Sequence, residues 1–150
     1  MIAVLQRVKQ ASVHIEGRLA GACEEGLMIL LGVAKGDEER DVDLLVPKIV
    51  KLRIFEDENG KMNRSVIDVD GEILVISNFT LLANYKKGNR PDYMNSADPE
   101  TAKRLYELFI LRMAEQVRRV ESGEFGADMQ VTLCNNGPVT IVMDSNELKK

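Results

Sequence analysis

The chain has 150 residues, 45% hydrophobic and 29% charged, with 20 Lys and Arg against 24 Asp and Glu for a formal net charge of −4. That composition excludes a disordered segment and a domain held on nucleic acid by bulk positive charge. Its two cysteines, Cys23 and Cys134, lie far apart without a CxxC partner, which excludes a disulfide scaffold and a zinc ribbon.

One domain over residues 1–150 is expected from the length. Met1 to Val8 carries Gln6 and Arg7 and does not read as a signal peptide. The longest apolar run, Leu27 to Ala34, is too short to span a bilayer. A soluble, cytoplasmic protein with no membrane partner is the resulting expectation.

Ile2 to Val8 and Ala11 to Ile15 read as two strands. Glu16-Gly17 reads as a tight turn into a third, Arg18 to Cys23. Ala11, Val13 and Ile15 share one face, and Ser12, His14 and Glu16 share the other, which is expected to be solvated. Leu27 to Val33 is a continuous apolar run and reads as a strand covered on both faces. Asp37 to Leu52 is the first predicted helix, with Asp37 as N-cap and Val42, Leu45, Ile49 and Leu52 as its buried stripe. Pro47 interrupts this pattern and predicts a kink or a late start.

Phe55 to Lys61 reads as a polar turn around Asn59-Gly60. Glu72 to Phe79 is the next predicted strand, and Tyr85 to Asp98 an irregular loop. Asp98-Pro99 starts a second helix, with Asp as N-cap and Pro at the first helical position. Ala102, Leu105, Tyr106, Phe109, Met113 and Val117 give its apolar face. Met129 to Asn135 and Pro138 to Asp144 are the last two predicted strands, joined through Asn136-Gly137.

The usual kit for enzymatic hydrolysis is absent from the pattern. His14 is the single histidine, and a surface position suits it better than a Ser–His–Asp triad. There is no HExxH, GxSxG, P-loop or GxGxxG. No metal site and no cofactor is expected. Two polar blocks interrupt apolar strands. Ser77-Asn78-Phe79-Thr80-Leu81 follows Ile73 to Ile76, where a strand end frees side chains and backbone N–H groups for a ligand; on composition alone a plain Ser/Asn turn is the favoured reading there. Asn135-Asn136-Gly137-Pro138-Val139-Thr140 holds a sharp Gly-Pro turn, for which an ordinary hairpin is the favoured reading from the residues alone.

Taken in order along the chain, the blocks Gln6-Arg7-Val8 with Ala11-Ser12-Val13, Leu52-Arg53-Ile54-Phe55, Gly60-Lys61-Met62-Asn63, Gly88-Asn89-Arg90-Pro91, Phe125-Gly126-Ala127-Asp128-Met129-Gln130-Val131 and Asn136-Gly137-Pro138-Val139-Thr140 resemble the D-aminoacyl-tRNA deacylase family over the whole length. The resemblance implies an α/β, single-domain, three-layer β/β/α fold, a homodimer, and hydrolysis of the ester that joins a D-amino acid to the 3′ end of tRNA. It implies a cis bond at Gly137–Pro138 and insertion of this turn, as a chiral filter, into the partner subunit's active site. The floor of that site is the Ser-Gln-Phe-Thr-Leu block, which here reads Ser77-Asn78-Phe79-Thr80-Leu81. Asn78 carries the same amide on a stem one methylene shorter.

By this resemblance Ser77, Asn78, Phe79 and Thr80 form the catalytic group, with Met129 supporting it and Arg7 a candidate brace for the Gly137-Pro138 turn; a surface arginine on a strand is an equally good reading of Arg7. Lys86, Lys87 and Arg90, the one compact basic loop, are candidates for tRNA phosphate contacts; a solvated loop is an equally good reading of the sequence. The 2′-hydroxyl of the terminal adenosine is the expected activator of water, with Thr80 as nucleophile the competing mechanism. The alternative from another class is an inactive RNA-end or small-ligand binding module of the same fold.

Overall fold

The computed structural model describes residues 1–150. Its first strand, β1 (Ile2–Ile15), runs unbroken for 14 residues where the sequence predicts two strands. The polar pair Lys9-Gln10 marks a change of partner rather than a turn. Ile2 to Val8 pairs with β3 (Gly26–Gly32) and Ala11 to Ile15 with β2 (Arg18–Cys23), both antiparallel on one edge. The opposite edge of β1 pairs along its length with β8 (Gln130–Asp144). The turn into β2 has φ 50° at Glu16 and 80° at Gly17, the two positive values that a two-residue hairpin of type I′ demands.

β3 lies parallel to β6 (Glu72–Ser77), and β6 parallel to β7 (Val120–Ser122), which the sequence reading did not find. The sheet order is β2-β1-β3-β6-β7, with β8 on β1. The sheet curls until β2 meets β7 and nearly closes. Ala22 N–H donates to the Glu121 carboxylate at 2.8 Å, and a Cβ at Gly21 would sit 2.6 Å from the Ser122 carbonyl oxygen. Only a residue without a side chain lets the two strands approach this closely.

Curling gives the central strands two apolar layers. Leu27, Ile29 and Leu31 of β3 and Ile73 and Val75 of β6 join the main core under the helices. Met28, Leu74 and Ile76 face the other way, against Val8, Val13 and Cys23 inside the curl. The continuous apolar run of β3 is thus covered on both faces, as expected; each such side chain contributes about 1.5–3 kcal/mol on burial.

Helix α1 (Glu39–Lys51) is capped by Glu38 through a capping box with Asp41, whose carboxylate accepts the Glu38 N–H at 2.8 Å. Asp37, the expected cap, is otherwise engaged: it accepts the Ala34 N–H at 2.7 Å and the Met1 ammonium at 3.0 Å. Val42, Leu45 and Ile49 are buried as their spacing predicts, and Pro47 lies within the helix on its exposed side. Helix α2 (Pro99–Ala114) starts where expected, the Asp98 carboxylate accepting the Thr101 N–H at 3.0 Å. The polar turn around Asn59-Gly60 is the tip of a small hairpin, β4 (Phe55–Glu56) with β5 (Met62–Arg64). No helix is long and apolar enough to cross a membrane.

Candidate functional site

β6 stops at Ser77, two residues short of its predicted end. The Asn78 N–H still donates to the Leu31 carbonyl at 2.8 Å, at the end of β3. There the chain breaks into a single 3-10 turn, Phe79–Leu82. Asn78 causes the break. Its side-chain oxygen accepts the Thr80 N–H at 3.2 Å and also the Thr80 hydroxyl, a local bond that competes with continued strand pairing. Phe79, first in the turn, keeps an N–H with no partner in the protein, as the opening residues of such a turn do.

Ser77, Asn78, Phe79 and Thr80 line one wall of a cleft of roughly 810 Å³. The segment Phe125 to Met129, between β7 and β8, also lines it, as do Tyr93, Ala97 and Pro99. Twelve of its nineteen lining residues are hydrophobic, the mostly apolar lining with a few polar groups that suits a small-molecule site. Phe79 meets Tyr93 edge to face, ring centroids 4.9 Å apart. Behind this wall Tyr106 packs on Phe125 and donates its hydroxyl towards the Val75 and Gly123 carbonyls, tying β6 to the strand beside it. Burial raises the Tyr106 phenol above its ordinary range, which keeps it protonated as a donor.

The structure therefore brings together Ser77, Asn78, Phe79, Thr80 and Met129. Tyr93 and residues 125–128 were not named as site residues from sequence. The Phe-Gly-Ala-Asp-Met block was visible as a unit, but only Met129 was singled out from it. His14 stands opposite Leu19 and Gln130 in the sheet and does not line the cleft.

The Gly-Pro segment is not a hairpin turn. Both of its flanks pair with β1 in the same sense: Asn135 opposite Val8 and Thr140 opposite Gln6. Four residues, Asn136 to Val139, thus stand against Arg7 alone and bulge out of β8. Two side chains fix the bulge. Arg7 donates from Nε to the Asn136 carbonyl at 2.7 Å and from Nη1 to the Ile54 carbonyl at 2.8 Å. Asn135, which the sequence reading placed in the polar block without a role of its own, donates to the Arg7 and Val139 carbonyls at 3.0 Å each and accepts the Val139 N–H at 3.2 Å. Arg7 is only 5% exposed, so it is no surface arginine. The Gly137–Pro138 peptide is cis, and both residues are exposed, away from the cleft of their own chain.

Lys86, Lys87 and Arg90 lie on an exposed loop closed by the Asn84–Asp92 backbone pair, at 2.8 and 2.9 Å. They make no ion pair and do not line the cleft, although Tyr93 just beyond the loop does.

The family model for D-Tyr-tRNA(Tyr) deacylase matches residues 4–144. The chain belongs to this family. It is 52% identical over 148 residues to the D-aminoacyl-tRNA deacylase of Thermosipho africanus, covering 99% of each chain, and 53% identical to that of Aquifex aeolicus, covering 99% and 100%. Among solved structures, it is similar to a c-Myc DNA unwinding element binding protein, with TM-score 0.91, 41% identity and coverage of 96% and 98%. A probable eukaryotic D-amino acid tRNA deacylase superposes with TM-score 0.81 at 15% identity, covering 95% and 97%, a likeness of fold alone. Both the cleft and the bulge fall within the span of the deacylase family model.

Proposed function

We propose that this chain hydrolyses the ester bond of D-aminoacyl-tRNA, releasing the D-amino acid and tRNA. The observation that carries the reading is the end of β6: a backbone N–H at Phe79 without a partner, at an apolar cleft, in a chain of the deacylase family. Such a donor suits an ester carbonyl whose oxygen becomes negative as water adds. One preorganised donor is typically worth about 3–4 kcal/mol in the transition state.

Water adds to the ester carbonyl carbon, the bond to the 3′ oxygen breaks, and that oxygen leaves with a proton. The 2′-hydroxyl of the terminal adenosine assists this proton transfer. An aminoacyl ester is already activated, so positioning and oxyanion stabilisation suffice. Thr80 is a poor nucleophile here. Its hydroxyl is held by the Asn78 side chain, and no histidine or lysine lines the cleft to act as its base.

The working unit is a homodimer in which the Gly137-Pro138 bulge of one subunit enters the cleft of the other. Gly137 and Pro138 are exposed, do not line their own chain's cleft, and are flanked by carbonyls tied to Arg7 and Asn135, which supports that arrangement. Its carbonyls meet an L side chain and spare a D side chain, so many D-amino acids pass without a fitted pocket. Lys86, Lys87 and Arg90 hold terminal phosphates of the tRNA. If sites are shared, specific activity falls on dilution in step with the dimer fraction measured by sedimentation.

Turnover of D-tyrosyl-tRNA against L-tyrosyl-tRNA tests the reading. A chiral deacylase cleaves only the D ester. A non-chiral esterase cleaves both, and a binding module of this fold cleaves neither; either result overturns the proposal.

A further inference from the structure

Of the nineteen residues lining the cleft, only Asp128 carries a charge. Every other lining side chain is apolar, a hydroxyl, an amide or a glycine. Asp128 stands in the tight segment between β7 and β8, where Gly126 has φ 78° and the Ala127 N–H donates to the Glu124 carbonyl at 3.2 Å. No arginine, lysine or histidine pairs with the Asp128 carboxylate, whereas Glu124, four residues earlier, pairs with Arg18 at 3.0 Å. An exposed carboxylate that no side chain engages is free to take a cation at the cleft, and the substrate class proposed above brings one. A free α-amino group has a pKa of about 7.7–8.0 and is largely protonated at neutral pH. Next to low-dielectric walls a charge pair interacts more strongly than in open water.

We propose that Asp128 is a specificity-determining residue that receives the α-ammonium of the aminoacyl ester, so that the site favours substrates with a free amine over esters of the same shape without that charge. This inference rests on the deacylase reading and deepens it. The Gly-Pro bulge would decide which hand of α-carbon enters; Asp128 would decide that the carbon bears a cation. The two devices act on different substituents of one atom, so they can be separated by substrate choice.

D-alanyl-tRNA and D-lactyl-tRNA provide the pair. They differ in an ammonium against a hydroxyl at the α-carbon and are nearly equal in size. The intact protein is expected to show kcat/KM about tenfold higher on the D-alanyl ester, a ratio typical of one charge-assisted contact. Asp128→Asn keeps the shape and removes the charge; it is expected to bring the ratio close to one, chiefly by raising KM for the alanyl ester. Asp128→Glu is expected to recover part of the preference. Because Asp128 is exposed and unpaired, circular dichroism of both variants should match the parent. If Asp128→Asn keeps the parent's alanyl-to-lactyl ratio, Asp128 does not read the ammonium and the inference is wrong. If the intact protein cleaves neither ester, nor D-tyrosyl-tRNA, the deacylase reading itself fails.

Discussion

Arg7 Nε lies 2.7 Å from the carbonyl oxygen of Asn136, the residue just before Gly137. One buried guanidinium therefore ties the start of the chain to the exposed bulge near its end. The same guanidinium reaches the Ile54 carbonyl at 2.8 Å, so the bulge is braced against the segment that follows α1. A rigid brace matters if the bulge acts by obstruction, because a yielding turn would move aside for the wrong substrate.

Arg7→Lys tests the brace. An ammonium keeps the charge but lacks the flat fork that spans two carbonyls. At least one buried carbonyl loses its partner, at a cost of about 1.5–3 kcal/mol for a charge-assisted bond. Urea unfolding should show that loss of stability. Hydrolysis of L-alanyl-tRNA should rise relative to the D ester. An unchanged D-to-L ratio in a variant that is measurably less stable would separate bracing from selectivity and remove Arg7 from the filter.

Asn78 and Thr80 should behave as a coupled pair. Asn78→Ala removes the cap of the 3-10 turn, worth about 1 kcal/mol in comparable settings, and releases the Thr80 N–H and hydroxyl together. Thr80→Ala removes only the hydroxyl and should slow turnover by about tenfold or less, equivalent to about 1.4 kcal/mol in the barrier. The double variant should lose less than the two single losses combined, because both act on one turn. Abolished turnover in Thr80→Ala, with an acyl-enzyme trapped on the parent protein, would instead make Thr80 the nucleophile.

Asp41 predicts how stability responds to acid. Burial alone pushes its carboxyl upward, but the Lys149 ammonium at 2.8 Å, the Ser145 hydroxyl at 2.6 Å and the Glu38 N–H outweigh burial and hold it down to about 2. A group held below its unfolded value of 3.8 stabilises the fold above that pH and loses its contribution as pH falls through about 2. The contribution at neutral pH is about 2 kcal/mol. Asp41→Asn should be less stable at pH 7 and should flatten the stability profile between about pH 4 and pH 2. Equal slopes for parent and variant in that window would show that Asp41 is not the titrating group.

What the sequence revealed depended on whether local chemistry or pairing partners decided each feature. Asp98-Pro99 marked the start of α2 because the cap and the first-turn proline act within four residues. The apolar run of β3 told of burial on both faces because nothing polar interrupts it. Lys9-Gln10 misled because a strand that changes partners looks, in sequence, like two strands. Asp37 misled because its side chain is claimed by Met1 and Ala34, contacts set by tertiary structure. β7 was invisible at three residues. At the site, Ser77 to Thr80 and Gly137-Pro138 stood out as polar interruptions of apolar strands. Tyr93 did not, because it lies in an irregular loop; Asn135 stood in the polar block, but its bonds to Arg7 and Val139 are announced by no local pattern.

The last expectation concerns glycine. A filter that works by obstructing an L side chain has nothing to obstruct when the substrate has none. Glycyl-tRNA should therefore be hydrolysed along with D-alanyl-tRNA, while L-alanyl-tRNA should resist. Glycyl and L-alanyl esters differ by one methyl group. A pocket recognising that methyl by favourable contact would discriminate by about 1–3 kcal/mol, or roughly 10–200-fold. The Gly137 and Pro138 carbonyls, in a bulge whose flanking Asn136 and Val139 carbonyls are held by Arg7 and Asn135, can impose more, because a braced bulge cannot retreat from the methyl. Initial rates on the three esters, with one tRNA body and limiting enzyme, decide the matter. If glycyl-tRNA is spared as thoroughly as L-alanyl-tRNA, the site must recognise the D side chain by contact, and obstruction by the Gly137-Pro138 bulge is not how it selects.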